Sequence, residues 1–383
     1  MRELELYIHI PFCVKKCEYC DFLSAPAVPA VRQSYVDRLL EEIDALAPDY
    51  RQYQVTSVFI GGGTPSILDL RQISRLMDSV SAAFSIHPDA EITMECNPGT
   101  LTGDKARTLR RLGVNRLSLG LQSAKEKELR LLGRIHSYDD FLKSYDAARK
   151  AGFSNINVDL MSALPCQTVK SWEDTLRQVA MLRPEHISAY SLIIEEGTPF
   201  FLRFHEDELV RDRGEQPLFL PSEEDERRMY ELTEQFLSAR GYRRYEISNY
   251  AKPGYECRHN IGYWTGKEYL GLGLGAASLI QNTRFHNTAE MEVYMRRPFA
   301  RLEEEALDRK AQIEEFMILG LRMIEGIRRQ EFLSRFGAEP ESVYGSVIEK
   351  LEEEGLLQVT GGRIALTKHG VDVSNMVFAE LLL

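Results

Sequence analysis

Short apolar runs rich in strand-forming residues alternate with longer stretches of helical spacing through the first half of the chain. The strand-like runs are Leu4 to Ile10, Val55 to Ile60, Glu91 to Cys96, Arg116 to Gly120, Asn155 to Met161 and Ile187 to Ile193. Between them, segments such as Val31 to Leu46 and Leu70 to Phe84 return an apolar residue every three or four positions, which gives a helix one buried face. Six strand-helix units in succession predict parallel strands with helices outside, because a parallel crossover needs a connection of helix length. The fold class is therefore α/β, and the unit is three quarters of a (β/α)8 barrel, a partial (β/α)6 TIM-like barrel. A doubly wound sheet is the alternative, since alternation alone does not close a barrel.

The second half changes pattern. Arg203 to Glu224 is charged and turn-rich, with Pro217 and Pro221, and reads as a mobile cover or linker. A helix from Ser222 to Arg240 and a strand from Arg243 to Ser248 follow. Beyond Lys310 the spacing predicts helices at Ile313 to Ile324 and Ser342 to Glu354, then a hairpin from Leu356 to Leu366 centred on Gly361-Gly362. Two helices and a wing predict a small C-terminal winged-helix-like α+β domain. The expected division is a barrel core at 1–200, a barrel extension at 201–305 and the C-terminal domain at 306–383.

Composition narrows the function classes. A hydrophobic share of 44% in 383 residues fills a core. No apolar run reaches the eighteen or so residues of a membrane span. The net charge of -11 argues against bulk affinity for nucleic acid or anionic membrane, and the glutamates of the winged segment favour a lid or docking module over a groove reader. Six cysteines are too few for a disulfide scaffold, and no charged-then-apolar leader opens the chain. A reducing, cytoplasmic setting is the expectation.

Three of those cysteines, Cys13, Cys17 and Cys20, fall within eight residues in YIHIPFCVKKCEYCDF. Zinc would want a second ligand pair at finger spacing, and none of the histidines provides one. Thiolates suit iron-sulfur clusters, and a four-iron cubane normally takes four. With three local ligands, one iron keeps an open position where chemistry can occur. Other polar oddities also fall at strand ends, where function gathers in either candidate fold. Gly61-Gly62-Gly63-Thr64-Pro65 follows the second strand, Glu95 ends the third and Gln122 follows the fourth. Asp159 lies in the fifth and Ser191 near the end of the sixth. The glycines let a backbone approach a ligand, and their N–H groups are placed to receive a carboxylate or ribose oxygen. Taken alone, the run is better read as a plain tight turn, since it lacks the spacing of a dinucleotide or phosphate loop. Glu95 and Asp159 need bound donors at such positions, and Arg134 is a candidate partner or ligand clamp.

CxxxCxxC after a first strand, then GGGTP, ECNP, LGLQS, LGRIH and a Val-Asp-Leu-Met strand, resemble the radical S-adenosylmethionine proteins, and within them the oxygen-independent coproporphyrinogen III oxidase family. The resemblance runs from Tyr7 to the C-terminus. It implies that Cys13, Cys17 and Cys20 hold a 4Fe-4S cluster whose fourth iron takes the amino and carboxylate groups of S-adenosyl-L-methionine. It places Tyr7 near the cofactor, Tyr19 beside its adenosyl part and Gly62, Gly63 and Thr64 at its methionine end. Glu95, Gln122, Arg134 and Asp159 complete the shell, with Ser191 and Ala277 as weaker carry-overs. It also implies an electron donor if the cofactor is cleaved.

Within that family the decarboxylating oxidase reads CxxxCxxCxC, whereas this chain has Phe22 at the last position. CDF, and HNxxYW standing as His259-Asn260-Ile261-Gly262-Tyr263-Trp264, are similar to the haem chaperone (HemW-type) branch. That branch implies haem and an acceptor protein as partners, with His259 as a candidate haem ligand and Tyr263 and Trp264 as porphyrin-facing rings. Cys96, Cys166 and Cys257 are expected to be core, loop or incidental residues. Two departures stand out: YGLPGQT of the relatives becomes Ser162-Ala163-Leu164-Pro165-Cys166-Gln167-Thr168, and GPGAHS becomes Gly273 to Ser278 without its histidine. Three functions compete: haem chaperone, coproporphyrinogen III oxidase and nucleic-acid-binding regulator. Phe22 and HNxxYW favour the first, and the acidic balance disfavours the third.

Overall fold

The computed structural model describes residues 1–296 and 301–383. Six parallel strands lie side by side in chain order: β1 (Arg2–Ile10), β2 (Tyr53–Gly62), β3 (Ile86–Cys96), β4 (Arg116–Gln122), β5 (Ile156–Ser162) and β6 (His186–Ser191). All six predicted strands are present, and helices Pro29–Leu46 and Leu70–Ala83 fall where the apolar spacing placed them. The predicted sixth strand runs too far; β6 stops at Ser191 and leaves Ile193 in a loop.

The two-residue period of a strand divides the side chains between two environments. Leu4, Leu6, Ile8 and Ile10 on β1, and Leu117, Leu119 and Leu121 on β4, belong to one core under the outer helices. The intervening positions face the concave side, where the register sets Tyr7 beside Phe59, Phe59 beside Thr93 and Gly120 beside Asp159. The concave lining is thus polar and aromatic. Helix starts are fixed by Asp69, Thr102, Ser137, Thr168, Thr198, Ser222 and Asp308, each accepting a backbone N–H of the first turn.

Residues after β6 extend both edges of this sheet. On the β6 side come β7 (Arg243–Arg244) and β8 (Asn249–Ala251), antiparallel. On the β1 side comes β9 (Tyr269–Leu272), parallel to β1, followed by β10 (Ala277–Ile280), β11 (Thr283–Asn287) and β12 (Arg301–Ala306). The twelve strands form one open sheet.

Three expectations need correction. The segment from Arg203 is not all cover or linker: Pro199–Asp212 is a helix, with Phe200 and Phe204 buried against Leu132, Met161, Leu164 and Leu220. Its charges masked a two-residue apolar stripe. The irregular part is anchored by the Asp207 carboxylate, which accepts N–H groups of Leu218 at 3.1 Å, Leu220 at 2.8 Å and Phe219. The strand expected over Arg243 to Ser248 joins the large sheet only at Arg243 and Arg244, with a lone bridge from Glu246 to Met323, because Tyr245 turns inward and bonds His186 Nε2 at 2.8 Å. The C-terminal segment holds helix Arg329–Phe336, which the periodicity missed, besides Arg309–Gly320 and Glu341–Glu353. Strands Leu357–Thr360 and Arg363–Leu366 form the predicted hairpin, turning through left-handed Gly361 and Gly362, and Ile327–Arg328 adds a third strand. These residues enclose a second core around Phe316, Phe332, Ile348 and Ile364, the winged-helix-like arrangement expected.

The altered loop after β5 carries a measurable strain. Ala163 and Cys166 hold φ of 57° and 61°, the left-handed region that favours glycine. Cys166 is exposed, so removing its side chain sacrifices little packing. Cys166→Gly is expected to raise the unfolding free energy by about 0.5–1 kcal/mol in urea titration. An unchanged or lower midpoint would contradict this account.

Candidate functional site

The C-terminal ends of the strands open into one cleft of about 400 Å³. Cys13, Cys17 and Cys20 line it together with Tyr19, Gly62, Gly63, Thr64, Glu95, Gln122, Arg134, Asp159 and Ser191. Twelve of the fifteen residues singled out from the sequence are therefore gathered at one place. Tyr7, Ala277 and His259 are not among its lining residues.

The cysteine loop leaves β1 through a short pairing of Phe12–Cys13 with Ala25–Pro26. It is held at its middle, where Glu18 N–H donates to Leu132 O at 3.0 Å and Phe200 N–H donates to Glu18 O at 2.9 Å. Cys13 is buried, and Cys17 and Cys20 are half-buried. Burial foremost pushes the Cys13 and Cys20 thiols above their ordinary values, and the neighbouring Cys17 adds to both. No three donors among the described residues converge tightly enough for a single ion. A cubane asks for a different geometry, since each thiolate takes a different iron.

The glycine run acts differently from the sequence expectation. Gly62 N–H donates to Glu95 Oε2 at 3.1 Å, Gly63 N–H to Ile10 O at 2.9 Å and Thr64 N–H to Phe12 O at 2.7 Å. These amides are engaged within the protein and are not free for a carboxylate or ribose oxygen. What glycine provides is closeness: a Cβ on Gly62 would stand 2.6 Å from the His9 ring, and one on Gly63 2.6 Å from Phe12 O. Gly62 also holds φ at 110°. The run thus clamps the root of the cysteine loop to β2.

Arg134 crosses the floor. Its Nη2 donates to Gly120 O at 2.7 Å and Asn97 Oδ1 at 2.9 Å, and its Nη1 lies 3.5 Å from Cys17 Sγ. Its Nε is buried without a partner, a donor available to a ligand or cluster sulfur. Asn97 Nδ2 in turn donates to Thr64 Oγ1 at 2.8 Å. Gln122 sits at a β-bulge with φ 71°, a strained turn that aims its amide into the cleft, where Tyr190 OH donates to Oε1 at 3.0 Å.

Two carboxyl groups share this floor. Burial, followed by the nearby Asp159, pushes Glu95 up to about 8. Asp159 is raised by burial, against which Ser118 Oγ donates at 2.9 Å and Asn157 Nδ2 at 2.7 Å. Neither carboxyl contacts a cationic side chain within ion-pair distance among the described residues. A ligand bringing an ammonium group and hydroxyls would supply what they lack.

The remaining three positions lie elsewhere. Tyr7 is inside the barrel, its OH 3.0 Å from His9 Nδ1. Ala277 is on β10, beyond β9. His259 is in helix Arg258–Trp264, which plugs the barrel near the N-terminal halves of the strands. Its Nδ1 is 2.8 Å from Ser57 Oγ and its Nε2 3.2 Å from Tyr263 OH, with the ring stacked on Phe59 at 5.1 Å. With 1% of its surface exposed, its pKa falls to about 3 through burial and the charge of Arg116. Sequence reasoning missed Asn97, Tyr190 and Arg116. Asn97 stood in the ECNP already noted, and Tyr190 directly before Ser191; Arg116 gave no signal beyond opening a strand.

The comparisons with known proteins agree with this geometry. Residues 7–179 match the model of the radical SAM superfamily, and residues 307–373 that of the HemN C-terminal domain. The chain is 36% identical over 379 residues to the heme chaperone HemW of Lactococcus lactis, spanning 98% of this chain and 97% of the relative. It is also 36% identical to the heme chaperones HemW of Bacillus subtilis (98% of each chain) and Escherichia coli (96% and 95%). The solved coproporphyrinogen III oxidase HemN from Escherichia coli superposes with a TM-score of 0.84 at 26% identity, covering 100% of this chain and 90% of that one. The three-cysteine cleft on a partial barrel, and likeness along nearly the whole chain, establish that this chain belongs to the HemW family of the radical SAM superfamily.

Proposed function

We propose that this chain is a haem chaperone: it carries a 4Fe-4S cluster and S-adenosyl-L-methionine in the cleft, binds haem and passes it to an acceptor protein. The likeness to heme chaperones of three bacteria over at least 96% of the chain carries this reading. In it, the thiolates of Cys13, Cys17 and Cys20 hold three irons and leave the fourth for the methionine end of the cofactor. Glu95 receives the ammonium group, and Gly62, Gly63 and Thr64 shape that end by close approach. Gln122, Asp159 and Ser191 meet the nucleoside, Tyr19 flanks it, and Arg134 braces Cys17. Tyr7 supports the floor from below, and Ala277 is left without a contact. When bound and reduced by an electron donor, the cluster supplies the electron that cleaves a sulfonium. A thiolate-held cluster fits a reducing, cytoplasmic setting. The division at 305 is supported by the separate C-terminal core, whereas the one at 200 falls within helix Pro199–Asp212.

The second reading is coproporphyrinogen III oxidase, favoured by the HemN superposition. Anaerobic reconstitution should give four irons per chain and a broad visible band, both lost when all three cysteines become alanine. Haem should shift its Soret band on mixing and then move to an apo-acceptor. Dithionite, S-adenosyl-L-methionine and coproporphyrinogen III should yield no protoporphyrinogen. Sustained turnover would replace the chaperone reading with the oxidase one.

A further inference from the structure

We propose that haem seats on the rim of the cysteine cleft, its flat face against Phe22 and Ile193 and its propionates toward Lys15 and Lys16. This rests on the haem-chaperone reading and names the site of that function.

The rim is apolar where the floor is polar. Phe22 and Ile193 are 61% and 67% exposed, yet both line the cleft. They come from the loops after β1 and β6, the first and last of the six parallel strands. Large apolar side chains left in water at the opening of one cleft fit a flat apolar ligand lying against them. A cofactor held by the floor groups occupies the depth of a 400 Å³ cleft, so a tetrapyrrole rests above it.

Charge orients that ligand. Lys15 and Lys16 line the same mouth, and neither is engaged in an ion pair among the described residues, in a chain of net charge -11. Lys16 Nζ donates to Phe22 O at 3.0 Å, which fixes its ammonium beside the phenyl-bearing residue. Asp21 and Glu195 also reach the mouth. Their carboxylates repel propionates, so the two lysines are the groups at this mouth that attract them.

The HNxxYW helix offers no comparable surface. Both ring nitrogens of His259 are engaged and its face is stacked on Phe59. Tyr263 is packed edgewise between His259 and Tyr269 at 4.8 and 4.6 Å. Trp264 lies under the guanidinium of Arg322 at 4.4 Å. The helix is a plug and a junction with the C-terminal domain. A rim seat, by contrast, leaves one haem face uncovered, so an acceptor can engage it before release.

The test uses the full chain with its reconstituted cluster, titrated anaerobically with haemin and with haemin dimethyl ester. Phe22→Ser with Ile193→Ser should weaken haemin binding about tenfold or more while the cluster band is retained, that band reporting the fold. Lys15→Gln with Lys16→Gln should weaken haemin several-fold but leave the ester unaffected. Binding of haemin by both variants with the parent's affinity would overturn the rim site and leave the chaperone reading standing. Failure of the parent to bind haemin at all would overturn that reading and the rim site with it.

Discussion

Arg134→Ala is expected to lower the unfolding free energy by roughly 2–4 kcal/mol and to leave the reconstituted protein short of iron. The stability loss follows from the acceptors left behind: Gly120 O and Asn97 Oδ1 both depend on Nη2, at 2.7 and 2.9 Å. Each stranded buried acceptor costs about 1–3 kcal/mol, with the lower part of that range applying where cleft water reaches. The iron loss has a separate cause. The guanidinium lies 3.5 Å from Cys17 Sγ, close enough for its N–H to donate to that sulfur and hold it in place for a cluster iron. Arg134→Lys should recover part of the iron but little of the stability, because one ammonium cannot span two acceptors and a sulfur as a planar fork does. Urea midpoints and iron-to-protein ratios, measured on the same preparations, separate the two effects. Unchanged iron content in Arg134→Ala would remove Arg134 from the cluster's support.

Much of this architecture was legible because it rests on short-range patterns. A strand buried on its outer face alternates visibly, and the cysteine triplet is a local spacing. The strand-end rule then gathered Gly62, Glu95, Gln122 and Asp159 without any contact being known. What failed to show depends on the third dimension. The amides of Gly62, Gly63 and Thr64 looked free because their acceptors, on Glu95, Ile10 and Phe12, lie far away in sequence. Helix Pro199–Asp212 buries only Phe200 and Phe204, too narrow a stripe to stand out among its charges. His259 presented the chemistry of a haem ligand. Its burial follows from Ser57, Phe59 and Glu5, residues that no motif connects to it. Gly262, inside the same motif, is small because a Cβ there would overlap the Glu5 carboxyl.

That carboxyl gives the other large effect. Glu5→Gln is expected to be close to neutral at about pH 4 and to exceed the parent in stability by several kcal/mol at pH 8.5 and above. Glu5 is 1% exposed, its Oε2 has no partner, and burial pushes its pKa up to about 8 from an ordinary 4.5 despite the opposing pull of Lys267. The contact of His259 with Glu5 at 3.7 Å is not an ion pair near neutrality, since the imidazole is held down at about 3 and the carboxyl is still protonated. For a group whose folded pKa is raised, the folded state binds the extra proton. The associated stability is full below pH 4.5 and is lost as pH rises toward 8, at about 1.4 kcal/mol per unit. Glutamine copies the protonated shape and does not titrate, so it removes this slope while Glu42 and Glu95, raised to about 7 and 8, keep theirs. His259 acts in the opposite direction, its contribution being lost as pH falls below about 6.5. Unfolding free energies of parent and variant from pH 4 to 9 should therefore diverge between about pH 4.5 and 8 and keep a constant gap above that. Curves that stay parallel between pH 5 and 8 would mean that Glu5 is already ionised in the folded barrel and that the plug carries a buried charge.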